Sequence, residues 1–233
     1  MRERGIALIM VILFTAFLSA LGLGLILAVF MDRLATGNMN GSIAMLYAAD
    51  AGIELAARDL GETANWDEVL SGSRRSSFTD GATGGVREVA GGGAVDLTAL
   101  TNRLNCGKSS SCTTAQMSAN SRDRPWGLNN PRWQLYAYGP MPHLAPWLRP
   151  EACYLVVWVA DDAREDDGNP LSDGAAGESG HGIVRVHAET FGLGGGNRAI
   201  EAELGRACRG GGVGACLPGI RVQSWQELRQ SVP

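Results

Sequence analysis

The acidic run Asp161-Asp162-Ala163-Arg164-Glu165-Asp166-Asp167-Gly168-Asn169-Pro170, with Asp173 just beyond, is the one stretch whose residue types suggest ion chemistry. Carboxylates crowded on a loop are hard oxygen donors, which suit Ca²⁺. The candidate ligands are Asp161, Asp162, Asp166, Asp167 and Asp173. The run does not match the EF-hand ligand pattern, and Arg164 dilutes its charge. A solvated acidic loop is the commoner meaning of such a stretch. No cofactor is expected, and calcium is the single candidate ion.

Five cysteines suit an oxidising compartment. Cys106 and Cys112 bracket a short loop, as do Cys208 and Cys216, and each pair reads as a local disulfide across an irregular segment. Cys153 is left over inside an apolar run and reads as a buried free thiol. Spacing alone does not decide the pairing. Zinc fits poorly, because no cysteine pair has two-to-four-residue spacing. His143, His181 and His187 fall on different segments without helical metal spacing. Gly192-Leu193-Gly194-Gly195-Gly196 lacks the Lys-Ser/Thr ending of a phosphate loop, and no Gly-x-Ser-x-Gly elbow occurs. Cys153 in an apolar strand is a poor thiolate. The expectation is therefore a protein that is not an enzyme. Trp126 and Trp147, in Pro-rich loops, are the candidates for exposed aromatic contacts, and Trp158 belongs in the core.

The elements that must position these residues begin at the N-terminus. Met1-Arg2-Glu3-Arg4-Gly5 is short and basic, and Ile6 to Phe30 then runs 25 residues without a charge. As a helix this run is about 37 Å long. The bilayer core is about 30 Å thick, so the segment can cross with some tilt. A secretory signal has an apolar region of only ~7–15 residues. Arg2 and Arg4 precede the span, while Asp32 and Arg33 follow and nearly cancel, which places the N-terminus in the cytoplasm and the rest outside. Ile43, Leu46, Asp50, Ile53, Ala57 and Leu60 recur at three- and four-residue steps, so the helix should continue to Leu60 with, apart from Asp50, an apolar stripe. Two Gly and two Asn between Ala35 and Gly41 mark where an interruption would fall.

The chain has 233 residues and a formal charge of −4, with no long basic run, so nucleic acid is not an expected partner. Its 32 glycines cluster in short runs without a three-residue period and read as turns. From Glu62 to Gly127 the sequence suggests loops, a short helix near Asn65–Leu70 and one or two short strands. Strands are expected at Trp133–Tyr138, Cys153–Ala160, Ile183–Phe191, Ala199–Leu204 and Ile220–Trp225. Cys153–Ala160 is apolar on both faces, as an interior strand should be. Gly194-Gly195-Gly196-Asn197 suits a hairpin turn between the third and fourth strands, and Ile220–Trp225 suits an edge. The expected fold class is α+β: a long N-terminal helix packed on one face of an antiparallel sheet of four or five strands.

Arg4-Gly5-Ile6-Ala7-Leu8-Ile9-Met10 resembles a type IV prepilin leader and cleavage junction. The stretch from Arg4 to Leu60, notably Arg4-Gly5-Ile6-Ala7-Leu8-Ile9 and Ala48-Ala49-Asp50-Ala51-Gly52-Ile53-Glu54, is similar to the N-terminal region of PilX-type minor pilins. The resemblance covers about a quarter of the chain. It implies a leader over 1–5, a helix over 6–60 (transmembrane over 6–30, amphipathic over 31–60) and an extracytoplasmic pilin-like domain over 61–233. It implies cleavage after Gly5 by a prepilin peptidase and N-methylation of Ile6. Ala7, Leu8, Ile9 and Met10 would then enter the filament core. Implied partners are other pilin subunits, the peptidase, the inner-membrane assembly platform and membrane lipid. The chain would first sit as a single-pass inner-membrane protein with a periplasmic domain, then join an extracellular filament. Major pilins carry Glu at the fifth residue after the cut, where Met10 stands here. A buried carboxylate without a partner costs several kcal/mol, so a tip or assembly-initiating subunit is expected rather than the repeating one. A pseudopilin of type II secretion shares these features, and a single-pass anchored binding domain is the alternative of a different class.

Overall fold

The computed structural model describes residues 3–89, 93–119, 127–144, 153–165, 167–177, 179–192, 196–207 and 219–228. The chain divides into two compact units, Met1–Ile43 and Ala44–Pro233.

Helix α1 runs over 59 residues, Glu3–Gly61, without the break that Ala35–Gly41 suggested. Each Gly there costs about 1 kcal/mol against Ala. Helix initiation is the costly step, however, and a helix already propagating tolerates isolated poor formers. The first unit is the helix up to Ile43, which carries no charge from Ile6 to Phe30.

In the second unit, α1 from Ala44 onward lies against a five-stranded antiparallel sheet, so the fold is α+β. After α1 come the short helix α2 (Asp67–Leu70), a two-stranded hairpin of β1 (Val86–Val89) and β2 (Gly93–Asp96), α3 (Leu97–Cys106) and α4 (Thr114–Ala119). The main sheet follows with β3 (Gln134–Pro140), β4 (Tyr154–Asp161), β5 (Ile183–Phe191), β6 (Asn197–Arg206) and β7 (Ile220–Leu228), in the order β3-β4-β5-β6-β7. The turn expected at Gly194–Gly196 lies partly outside the described residues. The strands it would join are paired antiparallel from Phe191 against Asn197 to Ile183 against Gly205.

Strand alternation sorts the core into two layers. Leu155, Val157 and Val159 of β4, Val184, Val186 and Ala188 of β5, and Ile200, Ala202 and Leu204 of β6 meet Ala48, Ala49, Ile53, Ala56 and Leu60 of α1. On the opposite face, Tyr154, Val156, Trp158 and Ala160 of β4 meet Val89, Val95, Leu97, Trp133 and Leu135. Every residue of β4 is thus buried, which explains its continuous apolar run. A register shift between Leu135 and Ala137 lets Tyr136 and Ala137, neighbours in sequence, both join the helix-side core. The stripe's Asp50 accepts a hydrogen bond from Trp225 Nε1 at 2.9 Å, so β7 supplies its partner. β7 is otherwise an exposed edge.

The second layer differs from the sequence expectation, which saw mainly loops between Glu62 and Gly127. Its signals are local and short. Asp96 caps α3, its side chain accepting from the N–H groups of Thr98 and Ala99, and Gly107 ends the helix at φ 74°. Leu97, Leu100 and Leu104 share the face that packs beneath β4.

Candidate functional site

Two regions offer function: the apolar half of α1 and a buried acid cluster at one end of the sheet. In the first, Gly5 through Met10 are helical, and Ile6, Leu8, Ile9 and Met10 are exposed, Met10 at 67%. The exposed apolar surface continues through Phe14, Phe17, Leu25 and Phe30. A soluble monomer rarely leaves apolar patches beyond a few hundred Å² uncovered. A helix apolar all round belongs in lipid or among other helices. Its two central hydroxyls are satisfied within the helix: Thr15 donates to Ile12 O at 3.0 Å and Ser19 to Thr15 O at 2.8 Å. That is what a polar group in hydrocarbon requires. Among the described residues one helix is long and apolar enough to cross a membrane, which is compatible with a single-pass anchor.

The acid cluster gathers Asp161, Glu165 and Asp173. Each offers a carboxylate oxygen, and these atoms lie within 4.8 Å of one another. All three residues are at most 5% exposed. Asp161 ends β4 opposite Val184. Glu165 follows in a tight turn, its N–H donating to Asp162 O at 3.2 Å, while Asn129 Nδ2 donates to Glu165 O. The N–H of Asp173 and the hydroxyl of Ser172 both donate to Asp67 Oδ1, and the N–H of Gly182 donates to Asp173 Oδ1 at 2.8 Å.

Two glycines bring backbone directly onto Glu165. Gly180 (φ 94°) has no room for a side chain, since a Cβ there would lie 2.5 Å from Glu165 Cγ and 3.1 Å from Glu165 N. At Gly174 (φ 62°) a Cβ would lie 2.8 Å from Glu165 Oε2. Both positions also need the left-handed backbone that glycine allows.

Asp161 Oδ1 and both carboxylate oxygens of Glu165 are buried without a hydrogen-bond partner. Burial, reinforced by the charge of Glu165, pushes the Asp161 carboxyl up to about 9. Burial, then the charges of Asp173 and Asp167, pushes Glu165 up to about 7, and burial raises Asp173 as well. Two basic side chains stand beside Asp173: Arg206 Nε and His181 Nδ1 are each 3.9 Å from its Oδ2.

The membership of this cluster differs from the set singled out in the sequence. Asp162 is turned toward Arg164, whose Nε donates to Oδ2 at 2.8 Å, and Arg164 also reaches Glu203 at 2.9 Å. Asp167 is exposed and accepts from the N–H of Asn169. Asp166 lies outside the described residues. Glu165, part of the acidic run but not of the expected ligand set, sits at the centre. Nothing in its spacing marks it. The nearby glycines of the loop were the available hint that backbone would close over a side chain.

Cys106 and Cys112 form a disulfide that joins the end of α3 to the segment before α4. Cys208 and Cys216 lie outside the described residues, as do Trp126 and Trp147. Cys153 is free and buried, and burial pushes its thiol up to about 11, the reverse of a reactive thiolate.

A second buried polar group fills the hairpin-side core. His187 lies edge-on to Trp133 and Trp158, with Nδ1 3.6 Å from Glu201 Oε2 and Nε2 3.9 Å from Glu189 Oε2. Burial opposes the His187 charge, but the two carboxylates outweigh it and the net shift is upward. Burial likewise opposes the Glu201 charge, yet His187 and Arg185, which forms an ion pair with it, hold its carboxyl down at about 2.

The sign follows for each group. Stability from Glu201 is present above its unfolded value of about 4.3 and is lost as pH falls through about 2. Stability from His187 is present below about 6.5 and is lost as pH rises through its higher folded value. Glu201→Gln should therefore cost on the order of 3 kcal/mol at pH 7. The deficit should shrink as pH falls from about 5 toward 2. Urea midpoints across pH check this, and a deficit independent of pH would refute the ion-pair account.

Compared with family models, with curated proteins and with solved structures, the chain has no match, so the functional argument rests on this geometry and on the N-terminal residues.

Proposed function

We propose that this chain is a minor pilin, a tip or assembly-initiating subunit of a type IV pilus, processed by a prepilin peptidase after Gly5. The observation that carries the reading is α1 itself. One continuous helix has a first half apolar and exposed on all sides, and a second half packed on an antiparallel sheet. That division suits a subunit whose helix lies first in the inner membrane and then among the helices of a filament. Either place keeps the apolar surface from water. The Gly5-Ile6 junction places the cut before the apolar span, so the helix is retained. Met10, at the fifth position of the processed chain, favours a terminal subunit over a repeating one, because a thioether needs no buried charge partner.

The same helix would serve a pseudopilin of type II secretion, or an anchored domain that never leaves the membrane. The N-terminus of the protein purified from its own host, read by mass spectrometry, tests the proposal. N-methylated Ile6 is the expected terminus. An intact Met1 or Arg2 would overturn the pilin reading in favour of a plain anchor. Deletion of the gene then separates the two filament systems, by loss of pili or by retention of secreted enzymes inside the cell.

A further inference from the structure

The acid cluster is not explained by a filament role. Three carboxylates converge in a buried space, and three of their oxygens lack any donor. Glu165, 2% exposed, is the decisive residue. Both its oxygens are unpartnered, and the backbone at Gly174 and Gly180 packs so closely that the side chain cannot swing out to water without moving the loop. A buried acceptor left unsatisfied is costly, and one carrying charge more so. The cluster would relieve this by holding either a proton or a cation.

We propose that Asp161, Glu165 and Asp173 bind one calcium ion. The donors are all oxygen, which selects a hard cation over zinc or copper. Among hard cations, Ca²⁺ takes several protein carboxylates in flexible geometry, whereas Mg²⁺ dehydrates reluctantly and is seldom held by protein ligands alone. Oxygens lying within 4.8 Å of one another can share one calcium ion, whose ligands stand at about 2.3–2.6 Å. Charge also balances: two positive charges on the ion, with Arg206 beside Asp173, match three carboxylates. The ion would tie the end of β4 to the long loop that leads to β5, and through the Asp173 N–H to Asp67 beside it.

The test uses the full chain in detergent, stripped with a chelator, with ⁴⁵Ca²⁺ in equilibrium dialysis and melting curves with and without calcium. One ion per chain is expected. At a free calcium concentration 100-fold above Kd, the melting temperature should rise by about 5–10 °C. Glu165→Gln and Asp161→Asn should each weaken binding about 100-fold or more, while Asp167→Asn, exposed in the same run, should change it less than about threefold. In chelator, Glu165→Gln should melt no lower than the parent chain, because it removes a buried charge, and this shows that lost binding is not lost folding. No bound calcium up to about 10 mM, above the range of weak extracellular sites, would overturn the site. So would binding unchanged in both cluster variants, or weakened equally by Asp167→Asn. None of these outcomes depends on the pilin reading, which stands or falls on the N-terminus.

Discussion

Trp158→Ala is expected to destabilise the sheet domain by about 3–5 kcal/mol, the range for emptying a buried aromatic site. Trp158 is fully buried on the hairpin-side face of β4. Its indole Nε1 donates to Thr101 Oγ1 at 2.8 Å, and that hydroxyl in turn donates to Leu97 O at 2.8 Å. The ring also lies edge-on to His187, with centroids 5.5 Å apart. The substitution therefore opens a cavity, strips Thr101 of its donor and loosens His187 together. Trp158→Phe keeps most of the volume and loses the hydrogen bond, so its cost should be nearer 1–2 kcal/mol, roughly that of one unsatisfied buried group. Urea unfolding of the detergent-solubilised chain, followed by far-ultraviolet circular dichroism, measures both. Equal costs would mean that the hydrogen bond to α3, not the packed ring, holds this layer in place. A cost below about 1 kcal/mol for Trp158→Ala would contradict the packing described here.

Gly52→Leu is expected to weaken the docking of α1 on the sheet by about 3 kcal/mol, at the upper end for overpacking a filled core. A Cβ on Gly52 would stand 2.9 Å from Leu155 Cδ1, 3.0 Å from Val157 Cγ2 and 3.2 Å from Ala188 Cβ. Leucine would thrust three further carbons into that contact, and the helix would have to lift from β4 and β5. Gly52→Ala separates two opposing effects. Alanine gains about 1 kcal/mol of helix propensity over glycine. Its methyl must displace the tip of Leu155, which can rotate, and press on Val157 and Ala188, which have little freedom. The two effects should nearly cancel, leaving the urea midpoint close to that of the parent chain. A gain approaching 1 kcal/mol would mean that the helix stands further from the sheet than the Gly52 geometry requires.

The helix and the strands were legible for different reasons. The span from Ile6 to Phe30 announces itself because hydrocarbon tolerates no charge over about 20 residues, and the stripe from Ile43 to Leu60 because one face must meet a core. β5 and β6 show alternation, and β4 shows the continuous apolar run of a strand covered on both sides. Between Glu62 and Gly127 the sequence suggests one or two short strands without placing them, and it does not suggest α3. β1 and β2 are four residues each, and α3 is ten residues with Thr and Asn among its leucines, so periodicity has little length in which to emerge. Their stability comes mainly from Trp158, Tyr154 and Leu135 beneath them, which are distant in sequence.

The acid cluster shows the same boundary. Composition alone marks 161–173 as a place where carboxylates accumulate, and chemistry alone says which ions carboxylates prefer. Whether a given carboxylate faces water, an arginine or its fellows depends on how the loop closes. Asp162 and Glu165 are three residues apart and of one charge, yet Arg164 claims the first and backbone at Gly174 and Gly180 encloses the second. The sequence by itself determined the helix that must leave water and the strands of a sheet with one face for that helix. Those are written in runs and periods of neighbouring residues. Only the tertiary structure decided that the hairpin and α3 cover the second face of β4, that Glu201 and His187 share a buried charge, and that Asp161, Glu165 and Asp173 converge, because each of these depends on how the chain folds back on itself and not on a run or period of neighbouring residues.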